Sequence, residues 1–217
     1  MQMNHILSLI TLLFIVLFSA CKQNETYRPI QGDILFQDID CGPLCDAIEQ
    51  VTTSVESYHF SHMGLVYIDS LGNPQIIESI GDRVQLTSYH NFLNRSMTTS
   101  HQPKVIAMRS DFSKDELNRA VDIALREVGV PYDELFLPDN QKWYCSELIA
   151  HAFNKAMHKT VFESAPMTYK LPGKQEYDPS WIRYFNDLNT PIPEGLPGCN
   201  PGAMSQSTYL KVIYRYY

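Results

Sequence analysis

Charge is scarce in this chain of 217 residues: 19% are Asp, Glu, Lys or Arg, and acidic residues outnumber basic ones by 24 to 17. No cluster of Lys and Arg stands anywhere along it, so the electrostatic footprint of a nucleic-acid binder is missing. A formal net charge of −7 likewise offers no basic field to a polyphosphate partner. Internal repeats and low-complexity tracts are absent. Low charge combined with 13 Tyr and 10 Phe argues against a long disordered tail. Beyond the first twenty residues no apolar run is long enough to span a bilayer. The length favours one domain, or one domain with a small appendage, able to bury a full core without metal or disulfide staples.

What is present begins at residues 6–20, an almost unbroken apolar run interrupted by Ser8, Thr11 and Ser19. It is short for a membrane span, which needs roughly 20 residues, but suits the core of a signal peptide. The run ends in Leu17-Phe18-Ser19-Ala20-Cys21, which resembles the lipobox of bacterial lipoproteins. In that pattern Cys21 is lipidated and becomes the new first residue. Phe18 stands where Leu is preferred, and the first five residues carry no Lys or Arg. An ordinary cleaved signal or a buried N-terminal strand is the alternative. The lipoprotein reading divides the chain into a signal peptide (1–20), a tether (21–31) and a domain (32–217). It places that domain in the cell envelope, on the periplasmic or surface side, anchored through acyl chains where disulfides persist.

Along the domain, Gly32-Asp33-Ile34-Leu35-Phe36 reads as a short strand, and Leu44, Ile48 and Val51 recur at helical spacing after Gly42-Pro43. Two β-branched and aromatic runs, 62–69 and 75–80, flank Ser70-Leu71-Gly72-Asn73-Pro74 and predict a hairpin. Residues 104–109 predict a further strand. Ser113-Lys114-Asp115-Glu116 is a capping box opening a helix with Leu117, Ala120, Val121, Ala124 and Val128 on one face. A loop over 129–141 leads to a second helix near Cys145 that carries Leu148, Ile149, Ala152, Phe153 and Ala156. A Pro- and Gly-rich stretch follows, with a short helix after Asp178-Pro179 and a closing strand over 211–217. Mixed strands and helices without βαβ regularity predict an α+β fold.

Five cysteines, an odd number, mark the chemistry: Cys21, Cys41, Cys45, Cys145 and Cys199. Cys145 opens the amphipathic helix, where free amide N–H groups and the helix dipole favour a thiolate. A thiolate nucleophile needs a base beside it. Of seven histidines, His62 stands at the start of a predicted strand, whereas His151 and His158, on or just after the helix, read as solvated positions. Glu78, a carboxylate inside an apolar strand, needs a partner and is a candidate to orient the base. A one-residue shift of the hairpin turn decides whether Glu78 shares a face with His62, and the sequence leaves that open. A disulfide between two of Cys41, Cys45 and Cys199 is expected, with the pairing open and three buried thiols as the alternative. Cys199 alone completes no zinc site with Cys41 and Cys45. No cofactor or metal is expected.

At these residues the chain resembles the circularly permuted papain-like cysteine hydrolases of the YiiX/YaeF type, within the NlpC/P60 superfamily. Ordinary members run Cys, then Gly-Asp with an apolar run, then His-x-Gly. Here Gly32-Asp33-Ile34-Leu35-Phe36 and His62-Met63-Gly64-Leu65-Val66 precede Tyr144-Cys145-Ser146-Glu147-Leu148. Gly129-Val130-Pro131-Tyr132-Asp133 and Cys199-Asn200-Pro201-Gly202 also resemble segments of that group. The resemblance implies an antiparallel sheet packed against helices, with Cys145 as nucleophile, His62 as general base and acid, and Glu78 orienting His62. It further implies an oxyanion contact from the Cys145 N–H. Tyr144 is a second candidate contact or an aromatic packing residue, and Asp33 shapes the strand start and pocket. The implied substrate is an amide or peptide bond, in cell-wall peptides or similar. Acyl hydrolysis or transfer on lipids, and a non-catalytic binding lipoprotein, are the competing readings.

Overall fold

The structure is a computed structural model that describes residues 26–217; the expected signal peptide (1–20), Cys21 and residues 21–25 of the expected tether lie outside the described residues. Its centre is a six-stranded sheet in the order β4-β3-β2-β1-β5-β8, antiparallel throughout. The strands are β1 (Ile34–Gln37), β2 (His62–Ile68), β3 (Pro74–Ile80), β4 (Arg83–Ser88), β5 (Val105–Ser110) and β8 (Leu210–Arg215). Helices α1 (Pro43–Gln50) and α2 (Tyr89–Asn94) interrupt the strands, and α3 (Lys114–Arg126) and α4 (Cys145–Met157) follow β5. Beyond them come β6 (Ala165–Pro166), α5 (Pro179–Asp187), β7 (Pro197–Gly198) and α6 (Pro201–Ser205). The two short strands β6 and β7 pair with each other apart from the main sheet. This is the α+β arrangement of antiparallel sheet and helices that the resemblance implied.

Burial follows the strand alternation. Ile34, Phe36, Met63, Leu65 and Ile77 pack with Leu117 and Val121 of α3 and with Leu148, Ile149 and Phe153 of α4. The alternate residues Leu35, Val66, Ile76, Val105 and Ala107 form a second cluster with Phe92 of α2. Because β1 has both neighbours and both faces covered, all four of its residues are buried. That is why it reads as a continuous apolar run rather than an alternating one. Gly64 belongs to this packing: a Cβ there would stand 2.3 Å from the Ile76 side chain and 3.1 Å from the Phe92 ring.

The hairpin turn is set by Asp69, whose carboxylate accepts the backbone N–H groups of Leu71 and Asn73. The resulting register pairs Tyr67 with Gln75 and Leu65 with Ile77. Extended to the start of β2, it sets Glu78 diagonally across from His62 on the same face. The capping box at α3 forms: Ser113 Oγ accepts the Glu116 N–H and the Glu116 carboxylate accepts the Ser113 N–H. One expectation fails. Val128 does not extend the α3 face; it is 42% exposed beyond the helix end. Gly129 takes φ +96° and the chain turns to bond β4, Gly129 N to Val84 O and Val84 N to Val130 O.

Candidate active site

Strand β3 holds the centre from two sides. Glu78 reaches His62, and the neighbouring Ser79 donates its hydroxyl to the Trp143 carbonyl at 2.5 Å, two residues before Cys145. The segment before α4 is also tied to the 131–133 loop, through Trp143 N to Pro131 O and Asp133 N to Trp143 O. Ser146 Oγ donates to the Cys199 carbonyl at 3.1 Å, so the first turn of α4 is anchored on its far side as well. Cys145 therefore opens its helix from a fixed backbone, where the first N–H groups have no intrahelical partner.

His62 is 4% exposed and Glu78 is fully buried. His62 Nε2 and Glu78 Oε2 are 2.6 Å apart. Burial alone would strip the imidazolium of its proton. Hydrogen bonding to Cys145 and Glu78, and their negative charges, outweigh it and raise His62 to about 9. With Nε2 committed to Glu78, Nδ1 is the nitrogen left for the thiol. Glu78 is also desolvated, yet His62 and Arg95 hold it down at about 2. Its remaining contacts are complete: Arg95 Nη1 to Oε2 at 2.8 Å, Arg95 Nη2 to Oε1 at 2.5 Å, and Thr87 Oγ1 to Oε1 at 2.5 Å.

Cys145 lies on the wall of a cavity of about 510 Å³, shared with Tyr132, Phe136, Trp181 and Met204. Tyr132 is kept protonated by burial and by the nearby Cys145, well above the usual phenol range, and lines the same cavity. Cys199 shares this wall, but burial pushes its thiol up to about 12, which leaves it an inert thiol at neutral pH. Cys41 and Cys45 form a disulfide across the start of α1.

The Tyr144 hydroxyl accepts the Cys199 N–H at 3.0 Å and its ring packs on Phe136, so Tyr144, on the cavity wall, takes the packing alternative and braces the 199 loop. One site expectation and one histidine reading need correction. Asp33 does not reach the cavity: its carboxylate accepts Arg109 Nε at 2.6 Å, Tyr27 OH at 2.7 Å and the Ile30 N–H at 3.0 Å. It secures the start of β1. His151 is half-buried rather than solvated, with its ring 4.4 Å from that of Trp143, whereas His158 is an exposed left-handed residue ending α4. Arg95 and Thr87 were invisible as site residues, because neither carries a motif and both depend on where β4 and α2 fold back. Tyr132 carries a signal, since it lies in the Gly129 to Asp133 segment that resembles the family.

A helix-borne cysteine, a strand-borne histidine preceding it in the chain, and a carboxylate on the next strand define a papain-like thiol centre in permuted order. Residues 28–214 match the family described as permuted papain-like amidase enzyme, YaeF/YiiX, C92 family, and the chain belongs to that family. It is 27% identical over 139 residues to the uncharacterized protein YiiX of Escherichia coli K12, covering 63% of each protein. The chain thus spans somewhat under two thirds of that relative's length. The crystal structure of the metalloprotein YiiX from Escherichia coli O157:H7 superposes with a TM-score of 0.68 at 22% identity. That match covers 87% of this chain and 98% of the other, and shows the shared fold.

Proposed function

We propose that this chain is a cysteine hydrolase that cleaves an amide bond through an acyl-enzyme on Cys145. The observation that carries the reading is the buried His62–Glu78 pair, 2.6 Å apart, beside a helix-opening cysteine on a cavity wall. His62 is raised to about 9, and the proposed mechanism starts with the Cys145 proton already passed to it, the thiolate–imidazolium form that a nucleophilic thiol requires. Cys145 Sγ attacks the carbonyl carbon, and the oxyanion is received by the Cys145 N–H at the helix start. His62 gives its proton to the leaving amine as the C–N bond breaks. The neutral imidazole then takes a proton from water, whose oxygen attacks the thioester; the C–S bond breaks to release the acid and the Cys145 thiolate, restoring the starting pair with protonated His62. Among the described residues no group of three or more His, Cys, Asp or Glu side chains is placed to hold a metal.

The test compares wild type with Cys145→Ala and His62→Ala on cell-wall peptides and on lipid amides and esters. Hydrolysis lost in both variants, with fast iodoacetamide labelling of Cys145 slowed by His62→Ala, is the expected outcome. Equal labelling of wild type and His62→Ala, without turnover, leaves the binding-lipoprotein reading. The cavity favours a second reading of the substrate: Ile48, Val51, Phe136, Phe162, Trp181 and Met204 suit an apolar acyl group. Faster cleavage of a long-chain acyl amide or ester than of a peptide would select it. We also propose that the protein works in the cell envelope, tethered by acyl chains on Cys21. Incorporation of labelled palmitate that Cys21→Ser abolishes would support the tether. No described helix is long and apolar enough to cross a membrane.

A further inference from the structure

Every acceptor position of Glu78 is filled, yet only one of its contacts goes to His62. Two come from the guanidinium of Arg95, which closes α2 and forks onto both carboxylate oxygens, sharing Oε2 with the imidazole. Arg95 is itself held: Nη1 also donates to Gln37 Oε1 at 3.3 Å, and its guanidinium lies 5.2 Å from the centre of the Phe92 ring. Gln37 in turn donates Nε2 to the Phe92 carbonyl at 2.7 Å. We infer that Arg95 is a positioning residue of the reaction, balancing the charge of Glu78 so that His62 can release its proton as well as hold it.

The argument rests on the thiol-hydrolase reading above and on charge counting in a buried site. The groups that face His62 are Cys145 from α4, Glu78 from β3 and the uncharged Phe92 ring from α2; those that face Glu78 are His62, Arg95 and the neutral Thr87. In the thiolate–imidazolium form from which the proposed mechanism starts, the charges of Cys145, His62, Glu78 and Arg95 alternate and sum to zero. Once the thiolate becomes a thioester, His62 must be neutral to take a proton from water. Glu78 and Arg95 still sum to zero at that stage, so the neutral imidazole leaves no bare charge behind it. Without Arg95 a neutral His62 would strand a buried, uncompensated carboxylate, which is strongly unfavourable. The imidazole would then keep its proton, and deacylation would slow while acylation suffered less.

The experiment uses p-nitrophenyl butyrate as an acylating probe on wild type, Arg95→Lys and Arg95→Met, with folding checked by circular dichroism and thermal unfolding. The nitrophenol burst reports acylation and the steady rate reports deacylation. The expected result for Arg95→Met is a retained burst and a steady rate at pH 7 reduced on the order of tenfold or more. Its half-maximal pH should move upward by about tenfold in proton concentration. Arg95→Lys, which keeps the charge but loses the fork, should fall between, and added methylguanidine should restore part of the Arg95→Met rate. A merely structural role would scale the rate evenly at every pH. An unchanged pH profile in both variants, or burst and steady rate falling in parallel, overturns the inference and leaves the nucleophile reading intact. A wild-type protein with no burst and no Cys145-dependent acylation overturns that reading, and the inference with it. If Arg95→Met does not fold, the Arg95→Lys profile decides alone.

Discussion

Replacing Glu78 by Gln keeps the shape of the buried side chain and removes its charge, and the structure sets the size of the effect. The carboxyl is held at about 2 against an ordinary 4.5 by His62 and Arg95, despite burial that works the other way. Each tenfold in proton affinity is worth about 1.4 kcal/mol, so the difference corresponds to about 3 kcal/mol of stability at neutral pH. Breaking a buried ion pair by removing one partner costs about 3–5 kcal/mol, which agrees. His62, raised to about 9, reports largely the same contact from its other end and is not added to it. The sign follows from the direction of each shift. A lowered carboxyl contributes stability that is complete above about 4.5 and lost as the pH falls through about 2. A raised imidazole contributes stability that is complete below about 6.5 and lost as the pH rises through about 9. Urea unfolding of wild type and Glu78→Gln at pH 7, 5 and 3 should show a gap of about 3 kcal/mol at pH 7 that narrows toward pH 3. A gap below about 1 kcal/mol at pH 7, or one that stays constant to pH 3, would refute the charge assignment.

Other consequences are equally direct. The Cys41–Cys45 bridge closes a loop with a sequence separation of 4, so Cys41→Ser with Cys45→Ser should lower stability by about 2 kcal/mol, read by denaturant titration under oxidising conditions. Burial and the nearby Asp133 push Glu147 up to about 8, and its Oε2 has no hydrogen-bond partner. Glu147→Gln should therefore raise the melting temperature at pH 9 and leave it nearly unchanged at pH 4, since a raised carboxyl loses stability as the pH climbs from about 4.5 through about 8. Gly64→Ala would drive a methyl into Ile76 and Phe92. A destabilisation of about 1–3 kcal/mol is expected in thermal unfolding, and a neutral effect would mean that the sheet and α2 are not packed as described.

Much of the framework is local and therefore legible along the chain. The Ser113 to Glu116 box caps its helix through atoms three residues apart, and Asp178 accepts the Ser180 N–H to start α5. The hairpin over 62–80 follows from turn chemistry between two β-rich runs. The end of α3 is not legible locally: Val128 fits the helical spacing, while the chain leaves that helix to bond β4. That contact spans more than forty residues, and no local pattern carries it.

The candidate site divides in the same way. Cys145 at a helix start, His62 at a strand start and Glu78 in an apolar strand were identifiable singly, since each is an unusual residue for its local setting. Whether they meet was a matter of register, because a one-residue slip of β3 would carry Glu78 to the opposite face of the sheet. Asp69 and its turn settle that register in the folded chain. Arg95 on Glu78, Tyr132 on the wall it shares with Cys145, the pairing of Cys41 with Cys45 and the burial of the free Cys199 thiol were decided only by tertiary packing. Local sequence determines which groups are available and how each segment is bent. The close approach of charges and thiols from distant segments depends on how the sheet, α2 and α4 dock, and that docking sets burial, partner and proton affinity together.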